Sequence, residues 1–403
     1  MIKIQIDNVH QRMQEYTDAI TDLVAFRVSV LLQSLSHLNG TVVDFSTGHF
    51  TSFRPVTISI MAIVGDNINM PSGRNGYTNT INHYLADVNG LGNINIARLI
   101  QFCNEMLANN NQNLSELLVC QAANLINKNE AILHLYGLNT AQNIAVIKLA
   151  FDYTRYNADI SSPIREYFRE RVFVKFCPYC NTKAAYHNVN AAGEVIDSYE
   201  LDHFYDKVRY PLLSYCLFNL VPSDHTCNFT NKGDTEFTDE FHINPHLSGY
   251  NDVIKFIPIG LNPAYEVDRI KLNISEAQGS VMYRKINGNN LPTLEQGVLG
   301  NLNVFKIRSK HLNETHLAST ILKTLDTNNS YRKHLKKYLQ RLNGLNIKDN
   351  YKKWYEKELN VRFSPLNFND KAYSKFHRDI HDHYYSINRT IMNRYIIELI
   401  NEH

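Results

Sequence analysis

Tryptophan is almost missing from this sequence, cysteine is sparse, and neither sign of charge dominates. One Trp, six Cys and a formal charge of +2 in 403 residues each exclude something. Six cysteines are too few to staple a disulfide-dense scaffold, so most of the chain must be held by ordinary cores. A near-neutral balance excludes a polycation that would coat nucleic acid over its whole surface. Long apolar runs are also lacking. Val28 to Leu32 and Val56 to Val64 are short or broken by polar residues, and read as buried segments rather than membrane spans. The N-terminus has no basic head followed by an apolar stretch and a small-residue cleavage site, so a cytoplasmic protein without membrane association is expected.

What is present suits a soluble protein of two or three domains. Residues 1–160 are expected to form a mainly helical domain. Apolar residues recur at three- and four-residue intervals in Tyr16 to Leu38, Ile96 to Leu107, Leu114 to Ile126 and Ala141 to Phe151. Thr41 to Val64 is richer in β-branched residues and is read as able to contain strands. The turn-rich Pro71 to Gly76 lacks the glycine spacing and Lys-Ser/Thr of a phosphate-binding loop. A boundary is placed at Ser161-Ser162-Pro163. Residues 161–260 then read as a small, irregular, metal-centred domain, and residues 261–403 as a mixed and then helical region. Helices are expected there at His316 to Leu325, Ser330 to Leu342, Tyr351 to Leu359 and His383 to Ile400. Between Arg332 and Lys357 nine Lys/Arg face two acidic residues, which reads as a nucleic-acid contact or as a solvated helix face. The fold class is α+β, mostly helical.

The chemistry is concentrated between Cys177 and Gly233. Cys177 and Cys180 form a CxxC pair, whose turn brings two thiolates close enough to share one tetrahedral ion. Cys227 supplies a third ligand downstream. A second pair with the same gap places the fourth ligand at Asp224. His225 is a good zinc ligand by chemistry but sits closer to Cys227. Asp224 is preferred, with His225 and Cys216 left open. Between the two halves stands Asp202-His203. On an extended strand these side chains leave on opposite sides, so both reach one site only where the strand bends or ends. Aspartate is a hard oxygen ligand for Mg²⁺, and histidine near neutrality accepts a proton from water.

These pieces together resemble the HNH endonuclease family: CPYC at 177–180, LDHF at 201–204, NLVP at 219–222 and CNFTNKGD at 227–234, with YP at 210–211 similar to its linker. The resemblance is strongest over Cys177 to Gly233. Phe241 to Pro245, Leu302 to Leu312 and Tyr373 to Ile380 are weakly similar to the tails of bacterial HNH proteins associated with defence or mobile elements. The family implies a zinc-stabilised ββα-metal unit. His203 would be the general base, Asp202 and Asn228 would hold one Mg²⁺ or Mn²⁺, and Asn219 would fix the loop and the surroundings of His203. Lys207, Arg209 and Lys232 would contact the nucleic-acid backbone. Asp224 departs from the family's usual cysteine. Asp206 stands where relatives often have proline.

The expected function is therefore metal-dependent cleavage of phosphodiester bonds, in DNA first and RNA second, with antiviral defence as the expected setting. The alternatives are a zinc-stabilised nucleic-acid-binding protein without catalysis, or a scaffold subunit with a metal knuckle. Neither needs Asp202, His203 and Asn228. Residues 1–160 carry no motif; sensing, self-association and docking of a partner ATPase are the roles open to them.

Overall fold

The computed structural model describes residues 2–40, 87–88, 90–153, 161–172, 174–185, 187–189, 195–197, 199–251, 253–288, 300–327, 353, 356–357 and 360–387. The expected strands in Thr41 to Val64, the turn at 71–76, most of the basic stretch 332–357 and the helices at 330–342 and beyond 387 lie outside them. Residue 353 and residues 356–357 are the only described part of the helix expected at 351–359. The described residues are mostly helical with three two-stranded sheets, as an α+β chain requires. They form two compact units. One comprises Met1–Ile4, Val174–Glu200 and Pro222–His403, and the other Gln5–Phe173 and Leu201–Val221. The segment 161–260 is thus divided between both.

The unit containing Gln5–Phe173 is built on helix α1, Val9–Leu38. Tyr16, Ile20, Leu23, Val24, Val28, Leu31 and Leu35 repeat at helical spacing and are all buried. They pack chiefly against α2, Ile96–Leu118, with further contacts to α4, Ala141–Ala150, and α5, Ser161–Arg171; α3 spans Leu125–Leu135. Contrary to the sequence reading, α1 is long and apolar enough to cross a membrane by length and composition, and 78% of its apolar window is buried within the protein. Its small polar residues, Ser29 and Ser34, return their hydroxyls to Phe26 O and Val30 O, which lets them sit in the core.

Two further expectations change. Leu114 to Ile126 is not one helix: α2 ends at Leu118, and a short 3₁₀ turn at Ala122–Asn124 precedes α3. The break before Leu114 comes from Asn109, Asn110 and Asn111, which adopt φ of 48°, 61° and 64°, a left-handed conformation that asparagine tolerates better than most residues. Ser161-Ser162-Pro163, where the sequence places a boundary, opens α5, with proline in the first turn where its missing N–H costs nothing.

In the other unit, β5 (Ile254–Ile259) and β6 (Arg269–Ile274) form an antiparallel hairpin in register from Ile254↔Ile274 to Ile259↔Arg269. Helix α10, Ser374–Ile387, packs on β5 and on α9, Thr315–Thr327. Between them lie α6 (Val281–Asn287), α7 (Asn301–Val304) and α8 (Ile307–Leu312). Asp379 of α10 accepts from Phe256 N at 3.0 Å and from Lys375 Nζ at 2.9 Å, fixing helix to strand through a buried ion pair. The remaining two-stranded sheets pair β1 (His187–Val189) with β2 (Val195–Asp197), antiparallel, and β3 (Glu200–His203) with β4 (Leu220–Ser223).

Three buried histidines give this unit a pH signature. Burial pushes His242 down to about 3, and His311 and His377 down to about 4, from an ordinary 6.5. All three are neutral when folded and protonate more readily when unfolded. Their contribution is complete above pH 6.5 and is lost as pH falls toward these depressed values. Each should lower stability by roughly 1.4 kcal/mol per pH unit in that window. Urea unfolding between about pH 7 and 5 should show a falling midpoint, flattened by replacing all three residues with Gln; an unchanged wild-type midpoint would refute neutral burial.

Candidate metal centre and catalytic hairpin

The first half of the metal centre is a backbone knuckle. Cys177 N donates to Lys183 O at 2.9 Å, Asn181 N to Cys177 O at 2.8 Å, and Ala185 N to Lys175 O at 2.8 Å. Asn181 turns the chain in the left-handed region, φ 56°. This folds Cys177 and Cys180 onto one side. Thr182 supports Cys180 Sγ from its hydroxyl at 3.2 Å and its amide at 3.5 Å.

The second half is a helical turn, Thr226–Lys232, wound as a π-helix. Asp224 precedes it, and its Oδ1 accepts from Thr226 N at 3.0 Å and Cys227 N at 3.3 Å. Those bonds leave Oδ2 directed at the cysteines, 3.7 Å from Cys180 Sγ. Gly233 ends the turn at φ 48°, ψ −128°, where a Cβ would also meet Phe229 O at 3.2 Å.

The donor atoms of Cys177, Cys180, Asp224 and Cys227 all lie within 4.8 Å of one another and all four residues are buried. A tetrahedral ion with bonds near 2.3 Å to sulfur needs edges of roughly 3.8 Å, so a small contraction would suffice. Burial pushes the Cys177 thiol up, while hydrogen bonds from Cys177 and Cys227 hold Cys180 well down. Lys310, on α8, places Nζ 3.2 Å from Cys227 Sγ, a positive charge that would offset three thiolates and a carboxylate when a metal is bound. His225, the competing ligand of the sequence reading, instead points outward, with Nδ1 2.7 Å from Glu200 Oε1. Cys216 belongs to the other unit, where Sγ donates to Leu117 O.

Strand β3 carries Glu200, Leu201, Asp202 and His203. Glu200 belongs to the metal-cluster unit and uses both oxygens there: Oε1 holds His225, and Oε2 accepts from Asn228 Nδ2 at 2.7 Å. The carboxylate therefore sets the Asn228 amide, with its donor end toward Glu200.

Asp202 and His203 are buried in the helical unit. His203 Nε2 lies 2.9 Å from Ser214 O. A carbonyl only accepts, so Nε2 carries a proton here, and Nδ1 is the ring nitrogen that can accept one when the imidazole is neutral. Tyr153 packs against the imidazole with ring centroids 4.7 Å apart at 81°. Ser214 is held in turn by its neighbour: Tyr16 donates to Tyr215 O at 2.6 Å, and the buried Arg27 donates to Tyr215 Oη at 2.6 Å and Asp152 O at 2.8 Å. Asn219, fully buried, ties the loop shut. Its Oδ1 accepts from Tyr205 N at 2.8 Å, and its Nδ2 donates to Tyr205 O at 3.1 Å and Leu213 O at 3.0 Å.

The three expected backbone contacts differ. Lys207 is half-buried, 5.5 Å from the Tyr153 ring centre; burial pushes its ammonium pKa down, opposed by the carboxylates of Asp152, Asp206 and Asp202. Arg209 is exposed. Lys232, expected to reach phosphate, is instead buried over the Phe237 ring at 4.7 Å, because the helical turn winds it inward. Sequence reasoning missed Glu200, Tyr153, Ser214 and Lys310. Glu200 adjoins the Leu-Asp-His motif and was open to notice; the others carry no local signal.

No family model matches the chain, and no solved structure does. Among curated proteins it is similar to Protein ea31 of Escherichia phage lambda, 29% identical over 109 residues. The alignment covers 26% of this chain and 33% of that protein, so the chain spans about a third of the length of the curated relative it matches.

The cluster predicts one zinc ion per chain in protein as isolated, measured by elemental analysis. Cys177→Ser should lose the metal and several kcal/mol of local stability. Asp224→Ala should weaken zinc retention against a chelator more than His225→Ala. Equal retention in those two variants would remove Asp224 from the ligand set.

Proposed function

We propose that the chain is a metal-dependent nuclease of the HNH type that hydrolyses phosphodiester bonds, with DNA as the first substrate to test. The observation that carries the reading is the placement of His203: buried next to Asp202 on one strand, with Nε2 committed to Ser214 O, which leaves Nδ1 as the nitrogen for proton transfer. A structural metal knuckle alone has no use for a histidine held in one tautomer by a backbone carbonyl. Asp202, His203, Asn219 and Asn228 also stand in the order that the HNH resemblance requires.

In this reading His203 Nδ1 takes the proton of the attacking water. Asn219 ties Tyr205 to Leu213, the residue immediately before Ser214, and so keeps the carbonyl that orients the imidazole in place. Asp202 offers a carboxylate oxygen, and Asn228 an amide oxygen set by Glu200, as ligands to Mg²⁺ or Mn²⁺. A bound divalent ion would neutralise charge at the phosphoryl and leaving 3′ oxygens. The Cys177, Cys180, Asp224, Cys227 cluster would hold Zn²⁺ as a structural ion.

The test is cleavage of plasmid, linear DNA and RNA under Mg²⁺, Mn²⁺ or EDTA. His203→Ala should lose about 10²–10⁴-fold in rate while keeping its zinc, and added metal should not restore it. Asp202→Ala and Asn228→Ala should be impaired but partly rescued at higher metal concentration, and Asn219→Ala should fall between. Full activity in all four variants would place the active site elsewhere.

A further inference from the structure

The helical turn Thr226–Lys232, with the two residues before it, has two faces. Asp224, Cys227 and Lys232 are buried, whereas His225, Thr226, Phe229 and Thr230 are exposed. Three of those four exposed residues are polar. The fourth, Phe229, leaves a whole aromatic ring 71% exposed. It does not stand alone: His225, one turn earlier, stacks on it with ring centroids 5.3 Å apart and planes within 12°. Glu200 fixes that imidazole through its Nδ1 at 2.7 Å, and the same carboxylate holds Asn228, the residue immediately before Phe229.

We propose that His225 and Phe229 form a stacking platform for an unpaired nucleobase, so that the preferred substrate is single-stranded or locally unpaired nucleic acid. This rests on the nuclease reading, because it places the platform beside a proposed cation ligand of that site. The chemistry selects the occupant. Two parallel, stacked rings present an outer π-face, Phe229 being the more exposed, and a base is the flat aromatic partner a nucleic-acid substrate brings to extend the stack. In a duplex both faces of each base are covered by its neighbours, so only an unstacked base presents its face to Phe229. The platform also brings no net positive charge to grip phosphate, since His225 is paired with the Glu200 carboxylate. Recognition here is by the base plane, with the Thr226 and Thr230 hydroxyls alongside as hydrogen-bond donors.

The experiment uses the full-length protein without added divalent cation and a short oligonucleotide containing 2-aminopurine, whose fluorescence is quenched by stacking. The probe is offered single-stranded and in duplex, and its integrity is checked on a denaturing gel. Wild-type protein should quench the single strand and bind it more tightly than the duplex. Phe229→Ala should lose the quenching and weaken single-strand binding roughly 10-fold, with zinc content and thermal unfolding unchanged. Phe229→Trp should keep both. Unaltered single-strand affinity in Phe229→Ala, or an equal loss on duplex, would overturn the platform, as would a wild-type protein that does not quench. Binding is read without turnover, so the two readings fail separately. Intact stacking with no cleavage of any substrate would sink the nuclease and leave the platform standing.

Discussion

Four donor atoms held within 4.8 Å of one another are the constraint on which the metal-cluster unit depends. Three cysteines and an aspartate brought that close, out of water, are tolerable only if something answers their charge and hydrogen bonding. Distant parts of the chain do so. Ile2 N donates to Pro178 O inside the CxxC turn, and Tyr373 N donates to Asn181 O just after it. Asn181 Nδ2 reaches Phe368 O and Lys371 O, Tyr179 stacks on Phe305 at 4.0 Å, and Lys310 Nζ donates to Cys227 Sγ. The knuckle is thus fastened by residues from both ends of the sequence, which a short irregular segment could not achieve alone.

The histidine side of the proposed site is governed by different physics. Among the described residues no cluster of metal-ligating side chains surrounds His203; its position follows from hydrogen bonds that saturate a buried loop. Asn219 bonds three backbone groups, and the Ser214 carbonyl that orients His203 is adjacent to Tyr215, which is bonded to Tyr16 and Arg27 on α1. An arginine buried in a helix core is expensive unless its donors are satisfied, and here Asp152 O and Tyr215 Oη accept from it. Helix α1, which carries no motif, is therefore part of what holds the proposed base.

Strand β3 links these two regimes in the chain. Glu200 faces the exposed turn with His225 and Asn228, and Asp202 and His203 follow within the same four-residue strand. The turn itself separates structure from recognition by residue: Asp224 and Cys227 inward, His225 and Phe229 outward. Its π-helical winding also explains why Lys232 goes inward, a result that a pattern based on ordinary helix spacing does not supply.

The sequence by itself determined the mostly helical class, the buried stripe of α1, and the donor set Cys177, Cys180, Asp224 and Cys227. Each of these rests on local spacing: helical periodicity in one case, a two-residue gap that fixes knuckle geometry in the other. It did not show that Leu114 belongs to a helix ending at Leu118, because the apolar spacing runs on to Ile126 across the short 3₁₀ turn at Ala122–Asn124. Only the tertiary structure decided the rest. The tautomer of His203 comes from a carbonyl eleven residues away, the amide of Asn228 is set by a carboxylate twenty-eight residues earlier, and the charge on Cys227 is answered eighty-three residues later. Such partners are chosen by proximity in space, and no one-dimensional pattern encodes which distant oxygen or ammonium will arrive.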